Sequence, residues 1–285
     1  MLGALVDHDD DRFDALCLEL AAAGKTLVHP YDAARTVEGA GTVGLEIAEE
    51  RPGVEVVVAP VGGGGLIGGT SLALRDRLAD GVRIHGVEPA GAATLGRALS
   101  AGAPVDLPEI TTEVQGLCPL NVGALNLALA RANVAAVHGL DDAPIFRAQA
   151  LFVNDLELVV EPAGAATLAG VLLAGVLDPL LEGRDEPLDV VVVVSGGNPA
   201  PEQLAAVRES GGDLLRFLET AQDGGGRMLD LDVQAVWSDR AVSCRDRATL
   251  EGLLAGQLPA AAGDYFGFHL RELGCDPCRA NLDDL

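Results

Sequence analysis

The 285-residue chain carries 43 acidic against 19 basic side chains, a formal net charge of −24, which excludes nucleic acid as a direct partner because phosphates would be repelled. Half of it is hydrophobic (49 %) and 36 residues are glycine, enough to bury one sizeable α/β domain plus a small appendage. Its longest valine runs are only strand length and no basic segment leads an apolar one at the N-terminus, so neither a membrane span nor a signal peptide is expected; the expected location is the cytoplasm.

Up to residue 205 the pattern alternates strand and helix, the signature of βαβ units on a parallel sheet. Strands are predicted near 26–29, 54–60, 83–88, 134–138, 156–161 and 189–195. Helices are predicted near 9–23, 41–51, 66–79, 91–101, 121–132, 143–153 and 163–175. Residues 54–70 read VEVVVAPVGGGGLIGGT, an apolar β-branched run, four glycines and a small-residue helix start. One or two glycines suffice for a tight turn. Four after a buried strand let successive backbone N–H groups converge on an anion at a helix N-terminus.

Leu66 and Ile67 stand where a Walker loop needs Lys and Ser/Thr. Glu88 ends the strand RIHGVEP, so a dinucleotide fingerprint is the formal alternative. A second motif weighs against it: DVVVVVSGGN, residues 189–198, reads as a fully buried strand that delivers Ser195 to the edge where α/β sheets bind ligands. A hydroxyl there can hydrogen-bond a heteroaromatic nitrogen.

HPYDAARTVEGAGTVGLEI (29–47), VVVAPVGGGGLIGG (56–69), HGVEP (85–89), VVEPAGAATLAGVL (159–172) and VVVVSGGN (191–198) together resemble the fold type II pyridoxal-phosphate enzymes, in particular the threonine/serine dehydratase and serine racemase branch. The resemblance runs from about residue 1 to 205. It implies an open, mostly parallel α/β sheet with helices on both faces, pyridoxal 5′-phosphate as cofactor, a small amino-acid substrate and a homo-oligomer. By the same resemblance Gly62, Gly63, Gly64, Gly65 and Leu66 bind the cofactor phosphate, Ser195 faces the pyridine nitrogen, and Glu161 lies near the site. A neutral serine leaves the ring less electron-withdrawing than a carboxylate partner would, which suits β-elimination.

The chain departs from the family in two places. The family's Schiff-base lysine belongs to a segment upstream of anything present, and the single lysine, Lys25, reads as a solvated turn residue between a helix and a short strand. Since covalent catalysis of this kind requires an amine, no catalytic residue is assigned. The chain is expected to be inactive alone, completed by its own missing N-terminal part or by a separate complementing chain. In the branch, a glutamate, a backbone carbonyl and a second acidic residue can also bind a divalent cation. Here those positions are Glu88, Ala92 and Thr94; without the second carboxylate no bound magnesium or calcium is expected, and a solvated strand-end role for Glu88 is an equal alternative. In the following loop, TTEVQGLCPLN (111–121), Cys118 reads as a small filler rather than a nucleophile.

The character changes near 206–230, a Gly- and Asp-rich linker. Beyond it, in a small helical module over 231–285, Cys244, His269, Cys275 and Cys278 give C-x24-H-x5-C-x2-C, a set that matches structural zinc. Disulfide pairing or isolated buried thiols are the other readings. Residues 242–285 resemble zinc-binding anti-sigma-type modules, although their common H-x3-C-x2-C spacing is lengthened here by two residues. That resemblance implies a regulatory protein partner. The expected function is therefore a pyridoxal-phosphate-dependent lyase of the threonine/serine dehydratase type, catalytically incomplete as written. The alternative is a non-catalytic regulatory protein that keeps the cofactor scaffold and works through its tail.

Overall fold

Five consecutive apolar residues, Val56–Pro60, form β1, and every one is buried, as a strand covered on both faces requires. β2 (Arg83–Pro89), β3 (Ala136–Leu140) and β4 (Val190–Val192) complete a sheet of order β3-β2-β1-β4. All three pairings are parallel. This computed structural model describes residues 19, 21–24, 28–78 and 81–210. The chain divides into two units, Met1–Leu214 and Leu215–Leu285, and the described residues belong to the first. Lys25 and the four candidate zinc ligands lie outside the described residues.

Among the described residues the helices are α1 (Ala34–Glu50), α2 (Gly65–Leu78), α3 (Thr94–Ala101), α4 (Ala124–Asn133), α5 (Asp142–Asn154), α6 (Pro162–Leu168), α7 (Asp178–Leu181) and α8 (Pro201–Ser210). They cover both faces of the sheet, as expected. Val57 and Ile84, opposite one another in the register, pack with Ile67 and Leu74 of α2, Leu95 of α3 and Leu127 of α4. On the other face the turn after α6 closes on β2: a Cβ on Gly170 would lie 2.9 Å from Val87 Cγ2. None of the helices is long and apolar enough to cross a membrane.

The glycines of the 29–47 motif form a helix-helix seam. A Cβ on Gly41 would sit 3.4 Å from the Gly69 carbonyl oxygen, and one on Gly44 would overlap that of Thr70. That close approach lets α1 start at Ala34, seven residues before the predicted start at 41, despite Gly39 and Gly41 within it.

Other predicted elements differ. Residues 156–161 form no strand: Leu158 N–H turns back to the Phe152 carbonyl and Glu157 takes φ 54°, which breaks the extended run. Of residues 26–29, Val28 and His29 are described and neither is in a strand. The helix predicted over 163–175 is α-helical only to Leu168. It continues as a π turn, Ala169–Leu173, closed by Ala174 N–H on the Ala169 carbonyl at 3.0 Å. Residues 206–210, expected to begin the linker, are the end of α8. β4, read as fully buried, is half-buried throughout, because it is the outer strand of the described sheet.

Candidate functional site

The glycine loop leaves the C-terminal end of β1 and enters α2 at Gly65. Its three carbonyls are each engaged outside the loop. Gly62 C=O accepts the Thr94 hydroxyl at 3.1 Å, Gly63 C=O accepts the Asn126 amide at 2.8 Å, and Gly64 C=O accepts Gly68 N–H at 2.9 Å. Gly64 has φ 85°, a left-handed conformation that glycine adopts without strain. The N–H groups of Gly62, Gly63 and Gly64 donate to no described residue. In a trans peptide the C=O and the following N–H point opposite ways, so holding the Gly62 and Gly63 carbonyls turns the Gly63 and Gly64 N–H groups away from Thr94 and Asn126, at the start of a helix where such groups can bind an anion.

Tyr31 lies against this loop. A Cβ on Gly63 would overlap its ring, and one on Gly65 would come within 2.8 Å of its carbonyl oxygen. Gly63 is thus glycine because a side chain packs on it, and not, as its place in the cradle implied, only to leave space for an oxygen of the ligand. Asn126, which is 1 % exposed, bolts the two segments together, its amide also donating to the Tyr31 carbonyl at 2.9 Å. Both partners are carbonyls, so the NH2 group must face them. Burial, with the carboxylates of Asp32 and Asp106 behind it, holds the Tyr31 phenol above its ordinary pKa.

Thr94 is placed by Glu88. The Glu88 carboxylate, 1 % exposed, accepts the N–H groups of Leu95 at 3.0 Å and Gly96 at 2.9 Å and so caps the first turn of α3. Burial outweighs those donors and pushes its pKa up to about 7. Neither alternative offered by the sequence, a solvated carboxylate or a cation ligand, describes it. Both Glu88 oxygens are engaged by backbone N–H groups, and Thr94 presents a hydroxyl that itself donates to Gly62, so these residues do not fit the family's divalent cation site.

Ser195 follows β4, the neighbour of β1, so its loop and the glycine loop leave the same edge of the sheet. Its hydroxyl has no hydrogen bond to the described residues. The loop is held through Glu161, the residue before α6, whose N–H donates to the Gly196 carbonyl at 3.2 Å. Burial raises the Glu161 pKa, opposed by a hydrogen bond from the Asn198 backbone N–H. Residues 111–121 bridge the halves of the site: a Cβ on Gly62 would lie 3.3 Å from Leu117 Cα, and one on Gly116 would lie 3.1 Å from Glu161 Oε1. Cys118 donates to the Val114 carbonyl at 2.9 Å, a packing position. Leu66 is the half-buried second residue of α2. The structure thus brings Gly62–Leu66, Glu161 and Ser195 to one edge.

Sequence reasoning missed the two carbonyl-holding side chains. For Asn126 a signal existed: it shares a buried face with Leu127 and Ala130, and a polar side chain on such a face requires partners. Thr94 was noted only as a missing acid. A pair on the opposite face of the sheet was also missed: His85 Nδ1 lies 3.0 Å from His138 Nε2. The ring planes lie within 9° of parallel with centroids 5.3 Å apart, and one imidazole N–H donates to the nitrogen of the other ring. Burial first, then His138 and Arg83, takes His85 down to about 4.

The family model described as pyridoxal-phosphate dependent enzyme matches residues 4–217. The biosynthetic L-threonine dehydratase of Mycobacterium leprae is 37 % identical over 184 residues, 63 % of this chain and 41 % of that protein. The chain therefore spans less than half of that relative's length. The solved structure of the processed form of threonine deaminase isoform 2 from Solanum lycopersicum superposes with a TM-score of 0.62 at 28 % identity, covering 69 % of this chain and 57 % of that one. Maize serine racemase gives a TM-score of 0.63 at 30 % identity over 72 % and 62 %.

Proposed function

The chain belongs to the family of pyridoxal-phosphate dependent enzymes, and from that premise we propose that it is the cofactor-holding part of a hydroxy-amino-acid ammonia-lyase of threonine/serine dehydratase type. The observation that carries the reading is the glycine loop, whose three outward carbonyls leave consecutive N–H groups for a phosphate. Gly62, Gly63, Gly64, Gly65 and the start of α2 at Leu66 would hold the phosphate, and Ser195 would meet the ring nitrogen. Pyridoxal phosphate, when bound, supplies an electron sink that acidifies the substrate α-carbon.

This chain's own residues bind and orient. The loop N–H groups and the α2 dipole bind the phosphate dianion. The Ser195 hydroxyl offers a neutral hydrogen bond to the ring nitrogen instead of a full charge. Glu161 fixes the loop that carries Ser195 through Gly196 and Asn198. No residue of this chain is assigned the amine that catalysis needs.

The test is to incubate the full chain with pyridoxal phosphate and L-threonine or L-serine. Cofactor should bind without covalent attachment and be displaced by inorganic phosphate, with no 2-oxo acid above the free-cofactor rate. Stoichiometric labelling of Lys25 together with turnover would contradict the incomplete-site reading, and absence of cofactor binding would contradict the whole. For the tail, the C-x2-C spacing supports a regulatory module in which Cys244, His269, Cys275 and Cys278 hold one zinc. Metal analysis of anaerobically purified protein should find about one zinc per chain, and zinc-free protein would leave them as ordinary thiols.

A further inference from the structure

Four consecutive glycines can hold many backbone conformations, and only some of them bind an anion. If the peptide unit between Gly62 and Gly63 turned over, its carbonyl oxygen would point where its N–H had been, and a dipole of about 3.5 D would repel the ligand it had attracted. Something must therefore fix the sense of each peptide. For Gly64 the helix does so, through Gly68 N–H. For Gly62 and Gly63 the hydrogen bonds come from side chains far away in sequence, Thr94 and Asn126, on two different helices.

We propose that Thr94 and Asn126 are the positioning residues of the phosphate site: by capturing the Gly62 and Gly63 carbonyls they fix the orientation in which the loop N–H groups face an anion, while Glu88 holds Thr94 in place. Thr94 is wholly buried and is the first residue of α3, so its hydroxyl can reach Gly62 only if the helix starts where it does. Glu88 sets that start by accepting the next two N–H groups. Gly96 has no side chain at the point where a Cβ would come within 2.8 Å of Glu88 Oε1. Asn126 acts from the other side, and its second hydrogen bond ties Gly63 to the Tyr31 segment. The remaining Asn126 oxygen, Oδ1, is buried without a partner. An orphaned acceptor is costly, and the side chain is held in this orientation because turning it would leave two carbonyls facing an oxygen. Both residues act through the loop backbone.

This inference rests on the phosphate-binding reading, and the experiment separates the two. In the full chain, Thr94→Val removes the hydroxyl at nearly constant shape, Thr94→Ser restores it, and Asn126→Leu removes the amide. Inorganic phosphate affinity is measured by calorimetry, and hydrogen exchange of the Gly62–Gly64 amides is compared with that of β1 and β2. Thr94→Val should weaken phosphate binding about tenfold, the net worth of one hydrogen bond, and speed exchange in the loop alone. Thr94→Ser should stay within about twofold of the wild type, since the hydroxyl is kept. Asn126→Leu should follow Thr94→Val; should it fail to fold, the two Thr94 variants decide alone. If the wild type binds phosphate and Thr94→Val binds it equally with unchanged loop exchange, the positioning role is overturned and the phosphate site stands. If the wild type binds no phosphate but Thr94→Val still loosens only the loop, the positioning role stands and the functional reading falls.

Discussion

Two loops leave the same edge of the sheet from neighbouring strands, and they are built differently. After β1, three successive glycine carbonyls are each held by a hydrogen bond from another element, and Gly64 and Gly65 are buried. After β4, a half-buried outer strand, Val194 and residues 196–198 are exposed; the Thr167 hydroxyl holds the Val193 carbonyl where the loop begins, and beyond it the loop is held by Glu161 and its backbone. The first loop is set before any ligand arrives, so its affinity is not reduced by the cost of ordering four glycines. The second presents one hydroxyl at a margin of the sheet and is less constrained. The phosphate half of the site is thus a property of the fold, and the ring half a property of one loop.

The most severe way to break this contrast is Gly64→Ala. Its positive φ costs an L-residue about 1–2 kcal/mol, and the new Cβ would lie 2.9 Å from Val122 Cγ2 and 3.0 Å from Asn126 Cβ, an overpacking of about 1–3 kcal/mol. Chemical denaturation should register about 3 kcal/mol of lost stability, and phosphate binding should vanish.

Next in size is a pH dependence that belongs to the first loop's support. Glu88 is moved from 4.5 to about 7, so its contribution to stability is fully present below pH 4.5 and is lost as the pH rises through 7. The loss is of the order of 3 kcal/mol. His85, taken from 6.5 down to about 4, has the opposite sign: its contribution is present above pH 6.5 and is lost as the pH falls toward 4. The difference between wild type and Glu88→Gln in urea midpoints between pH 4.5 and 8 isolates the carboxylate. Parallel profiles would mean that Glu88 does not titrate in this range.

Gly196→Ala probes the second loop. Gly196 has φ 78° and its Cβ would overlap the Glu161 carboxyl. Stability should fall by about 2–3 kcal/mol, the cost of a positive φ plus displacement of the Glu161 carboxyl, with inorganic phosphate affinity unchanged because the β1 loop is untouched. The smallest effect is expected for Ser195→Ala, whose hydroxyl has no hydrogen bond to the described residues: within about 0.5 kcal/mol by denaturation, with a change only in the absorption spectrum of bound pyridoxal phosphate.

What was legible in the sequence follows the same division. The buried valine runs and the four glycines gave β1, its loop and α2, because a covered parallel strand and a phosphate turn each demand particular residue types over a short span. The partners of the loop were not legible: Thr94 and Asn126 lie 32 and 63 residues from the carbonyls they hold, and nothing local to TLGRALSA or ALNLALARAN names their target. β4 was read as fully buried because DVVVVVSGGN has the composition of a central strand, yet its place at the side of the sheet is decided by strand order, to which composition is blind. Residues 156–161 have strand-like residues but are turned back by Leu158 and Glu157. Glu88 was misjudged for a related reason, since its partners Leu95 and Gly96 become donors only once α3 packs against β2.

The most direct test of the central claim is a titration of the isotopically labelled full chain followed through its backbone amide resonances, with pyridoxal phosphate, pyridoxal and inorganic phosphate in parallel. The account predicts that the amides of Gly62 to Gly65 shift with both phosphate-bearing ligands and not with pyridoxal, while those of Ser195 to Asn198 shift with pyridoxal phosphate alone. Equal responses to pyridoxal and pyridoxal phosphate at the glycine loop, or phosphate-dependent shifts confined to another part of the chain, would contradict it.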